Sequence, residues 1–265
     1  MSARRLLAGV VLAGLILALA IATAPAHAGQ TCEQKAPDTQ ALTRGLALAG
    51  KVEQHLKGSG ADVVVIARVG QDLREYGQRY SHLGFAYRDG DVWRVVHKLN
   101  ECGTDTSAIF RQGLGEFFLD DPFDYEAGIV VPKPEVQAHL LAVLRDNGRL
   151  SRLHTPEYSM LAYAWGKKYQ QSNQWAIETL AMAEDGDASN RSRAQSWLNL
   201  KGYQPGTIHL STFQRLGARV TQANIAFDDH PDKYRYSGRI YTVTADSVFL
   251  WLERSGLGSR PIAIR

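Results

Sequence analysis

The sequence predicts an α+β fold in which helices pack an antiparallel sheet, and three observations carry that reading. Residues 80–98, YSHLGFAYRDGDVWRVVHK, alternate along two arms around Asp89-Gly90, the pattern of a β-hairpin. Asp62 to Val69 is a short apolar run rich in β-branched residues, which suits a buried strand. Segments of helical spacing lie before and after these strands without strict strand–helix alternation.

The first helix runs from Asp38 to Leu56, with Leu42, Leu46, Leu48, Val52 and Leu56 at helical spacing and Gly58-Ser59-Gly60 as its stop. The strand at 62–69 follows, then the hairpin. A turn centred on Asp89-Gly90 pairs Arg88 with Asp91 and sets His82 opposite His97, on one face of the ladder. Ser107 to Phe118 reads as a short helix interrupted by glycines. EAGIVVP reads as a strand, and Pro134 to Asp146 as an amphipathic helix opened by proline. A helix starts with Ser172 at or near its N-cap, where serine is favoured. Ser189 to Leu200 is a further helix. NIAF and GRIYTVT read as strands, and a helix from Ala245 to Arg254 closes the chain.

The first residues bear on compartment. Arg4 and Arg5 precede a long apolar run that ends in APAHA, the pattern of a signal peptide cleaved after Ala28, with Ala26 and Ala28 as the small residues. The expectation is a signal peptide over 1–28, a single domain over 29–265, and a periplasmic or secreted location. The rest of a twin-arginine motif is absent, and Cys32 lacks a lipoprotein context. The formal charge is +3, with no basic run or basic–aromatic stripe, so nucleic acid is a poor partner. No second apolar run approaches a membrane span. The two cysteines, Cys32 and Cys102, are expected to form a disulfide in an oxidising compartment. A free catalytic thiol at Cys102 is the competing reading.

The hairpin histidines are the candidate chemistry. YQQSNQW (169–175) supplies a helix start that such a pair would serve. Ser172 as nucleophile, His82 as base and His97 as orienter form a Ser-His-polar set, with the backbone N–H at the helix start and Gln170 or Gln171 as oxyanion candidates. Plainer readings stand beside it: Ser172 as a helix cap, and the histidines as ordinary sheet residues. A zinc site lacks ligand spacing, with no HExxH and His154, His209 and His230 scattered, and no cofactor is expected. FDDHPDKY (227–234) reads as a solvated turn or a cation loop.

Ser81-His82-Leu83-Gly84-Phe85 and Val95-Val96-His97 resemble the histidine region of the NlpC/P60 superfamily of papain-like proteins. The order of His82, His97 and then residue 172 resembles its circularly permuted members. The resemblance implies a permuted papain-like fold and an amide or ester hydrolase or acyltransferase. A peptidoglycan peptide or an acyl group would be the envelope partner. The superfamily's hydrolases use cysteine where this chain has Ser172. A serine stays protonated until a well-placed base takes its proton, so the exchange also fits a catalytically inactive ligand-binding or assembly protein. The whole chain resembles DUF2145, an uncharacterised family of secreted bacterial proteins.

Overall fold

The computed structural model describes residues 38–120, 122–221 and 223–265. Helix α1 (Thr39–Ser59) leads through Gly60, at φ 69°, into β1 (Val63–Val69). The hairpin is β2 (His82–Asp89) and β3 (Val92–Asn100), followed by β4 (Ser107–Gly113), α2 (Leu114–Leu119) and β5 (Asp124–Val130). Then come α3 (Pro134–Leu144), α4 (Asn147–Ser151), α5 (Ser172–Glu184) and α6 (Arg191–Leu200). The last part holds β6 (Gly206–His209), α7 (Thr212–Thr221), α8 (Asp232–Arg235), β7 (Arg239–Thr242), α9 (Ala245–Arg254) and β8 (Ile262–Ile264).

Six strands form an antiparallel sheet in the order β4-β3-β2-β1-β5-β8, and β6 and β7 make a separate ribbon. Every residue of β1 is buried because helices cover both faces of this central strand. Val64, Ile66, Ala86, Trp93 and Val95 face α1 and α2. Val63, Val65, Leu83, Phe85 and Val96 face the other way, toward α3 and α5. In α5 only Glu184 escapes full burial, and Trp175 meets Phe85 edge-on at 6.3 Å. A side chain such as Trp175 or Leu180, fully withdrawn from water, contributes roughly 1.5–3 kcal/mol. This burial fixes α5 against the hairpin.

Three expectations are corrected. Ser107 to Phe118 is not one helix: β4 takes Ser107–Gly113, and the helix begins only at Leu114. As an edge strand β4 alternates irregularly, and Gly113, read as an interruption, is the N-cap between the two elements. NIAF is not a strand; Ile225 and Phe227 instead pack with Ile208, Leu210 and Ile240 beneath the ribbon. The hairpin register is shifted by two. Asp89 pairs with Val92, so Gly90-Asp91 forms the turn, with Gly90 supplying φ 62°. A primed two-residue turn needs that conformation at its first central position. No helix among the described residues is long and apolar enough to cross a membrane. The expected signal peptide and Cys32 lie outside the described residues. Cys102 stands in the exposed turn after β3, and no cysteine among the described residues is a free thiol.

Candidate functional site

The shifted register would place Gly84, not His82, across from His97. The imidazoles still meet, diagonally: His82 Nε2 and His97 Nδ1 are 2.8 Å apart. Glycine at 84 makes room for this. A Cβ there would lie 2.7 Å from the Val96 carbonyl oxygen and 2.9 Å from His97 Cβ. We expect Gly84→Ala to cost about 1–3 kcal/mol, as overpacking does, and to separate the two rings. Urea denaturation reads the first effect and the imidazole NMR signals the second.

His97 Nε2 reaches Gln112 Oε1 at 2.7 Å, from the facing strand β4. This chain sets the tautomers. With the amide oxygen accepting, His97 carries its proton on Nε2, its Nδ1 accepts from His82 Nε2–H, and His82 Nδ1 keeps a bare lone pair. Phe117 of α2 packs 5.2 Å from the His97 ring and 6.0 Å from His82. Behind them the buried Arg68 guanidinium donates to the carbonyls of Phe117 (2.6 Å) and Asp120 (2.8 Å) and pairs with the Asp120 carboxylate. Burial first, then the Arg68 charge, holds both imidazoles neutral. His97 falls to about 4, and His82 falls well below its ordinary 6.5. The pair is therefore a neutral, oriented base rather than a cation.

Ser172 occupies other ground. Strand alternation turns His82 and His97 toward α2, whereas α5 covers the face carrying Leu83, Phe85 and Lys98. The N-cap of α5 is Gln171, one residue before Ser172. Ser172 is buried, and its hydroxyl and backbone N–H face the buried phenol of Tyr158, partly offsetting the rise that burial gives that group's pKa. Among the described residues no hydrogen bond joins Ser172 to either histidine. The structure thus joins His82 to His97, and Ser172 hydrogen-bonds neither, although its neighbour Asn173 meets β2 on both sides of His82, at Ser81 O and Leu83 N.

Both oxyanion candidates have committed side chains. Gln170 Oε1 accepts from Lys98 Nζ (2.9 Å) and Thr155 N (3.0 Å), and its Nε2 donates to Leu153 O (2.9 Å) and Glu178 Oε2 (2.6 Å). Gln171 Oε1 accepts from Asn173 N (2.9 Å), and its Nε2 donates to Thr242 Oγ1 (3.1 Å) and the Val243 carbonyl. Neither amide has an N–H left over to turn toward a developing anion without breaking these bonds.

Four residues central to this region carry little signal in the sequence. Asn173 Oδ1 accepts from Leu83 N at 2.9 Å, where β2 has parted from β3, so α5 stitches the frayed mouth of the hairpin. Lys98 is fully buried and donates to Thr155 O at 2.7 Å; burial, then the Arg191 charge, lowers its pKa to about 6. Arg191 Nε donates to Glu178 Oε2 at 2.8 Å, with both side chains withdrawn from solvent. Arg191 also donates to the carbonyls of Gly166 and Tyr169, each at 3.0 Å. This network binds the irregular 153–171 segment to α5 and α6. Only an asparagine at a helix start carries a local signal, that of a cap.

The 227–234 loop is held by its own acids. Asp229 accepts from Tyr163 N (2.7 Å) and from His230 (2.9 Å), and Asp228 pairs with Lys168. Among the described residues no group of three or more histidines, cysteines or carboxylates gathers in a way that could hold a metal ion.

A family model described as an uncharacterized protein conserved in bacteria, DUF2145, matches residues 55–252, well over half of the chain. No curated protein and no solved structure matches.

Proposed function

We propose that this chain, which belongs to the DUF2145 family, is an exported cell-envelope protein that binds a ligand or an assembly partner without serine-hydrolase chemistry. The observation that carries the reading is the surroundings of Ser172. Its hydroxyl faces Tyr158 on the α5 side of the sheet, while the imidazole pair is bound up with Gln112 and Phe117 on the other. A serine without an adjacent base has no means of losing its proton during attack. The spent amides of Gln170 and Gln171 point the same way. In this reading the frame is a permuted papain-like one that keeps the paired histidines as a neutral polar pivot. The envelope partner is a peptidoglycan peptide or an acyl group. Cleavage after Ala28, a periplasmic or secreted location and a Cys32–Cys102 disulfide complete the proposal.

The test is covalent labelling with a fluorophosphonate, wild type beside Ser172→Ala. The reading expects equal, background labelling of both. Labelling of wild type that is lost in both Ser172→Ala and His82→Ala would instead restore a hydrolase or acyltransferase with Ser172 as nucleophile.

A further inference from the structure

Helix α7 is inside out. An amphipathic helix on a globular protein normally turns its apolar stripe toward the core. In α7, Phe213 is 87% exposed and Leu216 is 62% exposed, and the two lie one turn apart on the same face. Arg215, on another face, is half-buried, with its Nε out of solvent and without a partner. Among the described residues no other helix or strand makes more than marginal contact with α7. The apolar stripe therefore needs a cover from outside the described residues.

The neighbourhood indicates what that cover is. Helix α7 leaves the β6–β7 ribbon just past the His209–Arg239 pair, where Leu210 N donates to Gly238 O at 2.9 Å. Tyr236, 71% exposed, stands at the same end. So do Lys233, Arg235 and Arg239, none of which forms an ion pair among the described residues. Of the nearby acids, Asp228 is taken by Lys168 and Asp229 by His230, leaving Asp232. Thr212–Thr221 itself contains two arginines and no acidic residue. An exposed Phe and Leu on a helix of low overall hydrophobicity, with an exposed Tyr and cations that form no ion pair beside it, two of them stacked on tyrosine rings, are the features of a segment that lies in a bilayer interface. A second copy is a poorer occupant, because two exposed side chains fall far short of the roughly 800 Å² per partner that a stable dimer buries.

We infer that the α7 end of the β6–β7 ribbon is a peripheral docking site for an anionic phospholipid surface. Phe213 and Leu216 enter the interface, and Lys233, Arg235 and Arg239 face the headgroups.

The test is flotation with lipid vesicles, using protein that lacks residues 1–28. That deletion spares every described element and removes an apolar run that would itself bind lipid. The expected result is binding to vesicles of phosphatidylglycerol and phosphatidylethanolamine. Binding falls at least tenfold in the double variant Phe213→Ser, Leu216→Ser and in the double variant Arg235→Glu, Arg239→Glu. It also weakens as salt rises. The first double variant alters only exposed side chains, and unchanged circular dichroism confirms its fold. The inference is overturned by absence of binding, by equal binding to phosphatidylcholine vesicles, or by binding indifferent to Phe213 and Leu216. A dimer of the wild type that Phe213→Ser, Leu216→Ser dissolves, with no vesicle binding, overturns it in favour of a second copy.

Discussion

Glu178→Ala is expected to destabilise the protein by about 3–5 kcal/mol, the cost of removing one partner from a buried ion pair. Glu178 accepts from Arg191 Nε (2.8 Å), Gln170 Nε2 (2.6 Å) and Gln195 Nε2 (2.7 Å). The truncation leaves a buried guanidinium without its counter-charge and takes one acceptor from each of two amides, which keep only the carbonyls of Leu153 and Gly166. It also removes the negative charge that favours protonated Lys98. Glu178→Gln keeps one acceptor oxygen and the volume, so its cost is smaller. Urea denaturation at neutral pH measures both, and the 153–171 segment should lose amide exchange protection first, since Arg191 holds its carbonyls.

Acidification is the second large effect. His97 protonates near 4 in the folded protein and near 6.5 unfolded. Between those values the unfolded chain binds the extra proton, so stability falls as pH falls. The change for His97 alone is about 3 kcal/mol across that window, from 1.36 kcal/mol per pKa unit. His82 acts in the same direction. Lys98, lowered to about 6 from 10.5, adds a second limb: stability rises with pH between those values because only the unfolded lysine is charged there. Denaturation curves at half-unit pH steps should thus show stability climbing from pH 4 into the alkaline range. His97→Asn should make the acid limb shallower, leaving the His82 contribution, and should leave the alkaline one.

Much of this architecture was legible in the sequence, for identifiable reasons. The run of β-branched residues at 63–69 can only be buried on both faces, and the spacing of Leu48, Val52 and Leu56 can only be one helix face. The hairpin was legible to within its turn. Asp89-Gly90-Asp91 permits two registers, and the choice lies in whether Gly90, at positive φ, takes the first or the second central position of the turn. Gln112 could not be seen as a partner of His97 while Ser107–Phe118 read as a helix, because only a paired strand β4 brings it across. The network of Lys98, Gln170, Glu178, Arg191 and Gln195 was hidden for another reason. Each residue type is ordinarily a surface one, and they meet only through tertiary contacts between distant segments. The lack of a hydrogen bond between Ser172 and the imidazoles likewise follows from which sheet face α5 covers, a feature that residue order does not encode.

Among the described residues Ser172 makes no hydrogen bond to either imidazole of the histidine pair. Imidazole ¹⁵N NMR on wild type and Ser172→Ala tests it directly, because ring nitrogen shifts report tautomer and hydrogen bonding. Superimposable His82 and His97 signals and the same acid titration are expected in both proteins. A changed tautomer or a shifted His82 titration in Ser172→Ala would show that the serine is bonded to the base, and would contradict it.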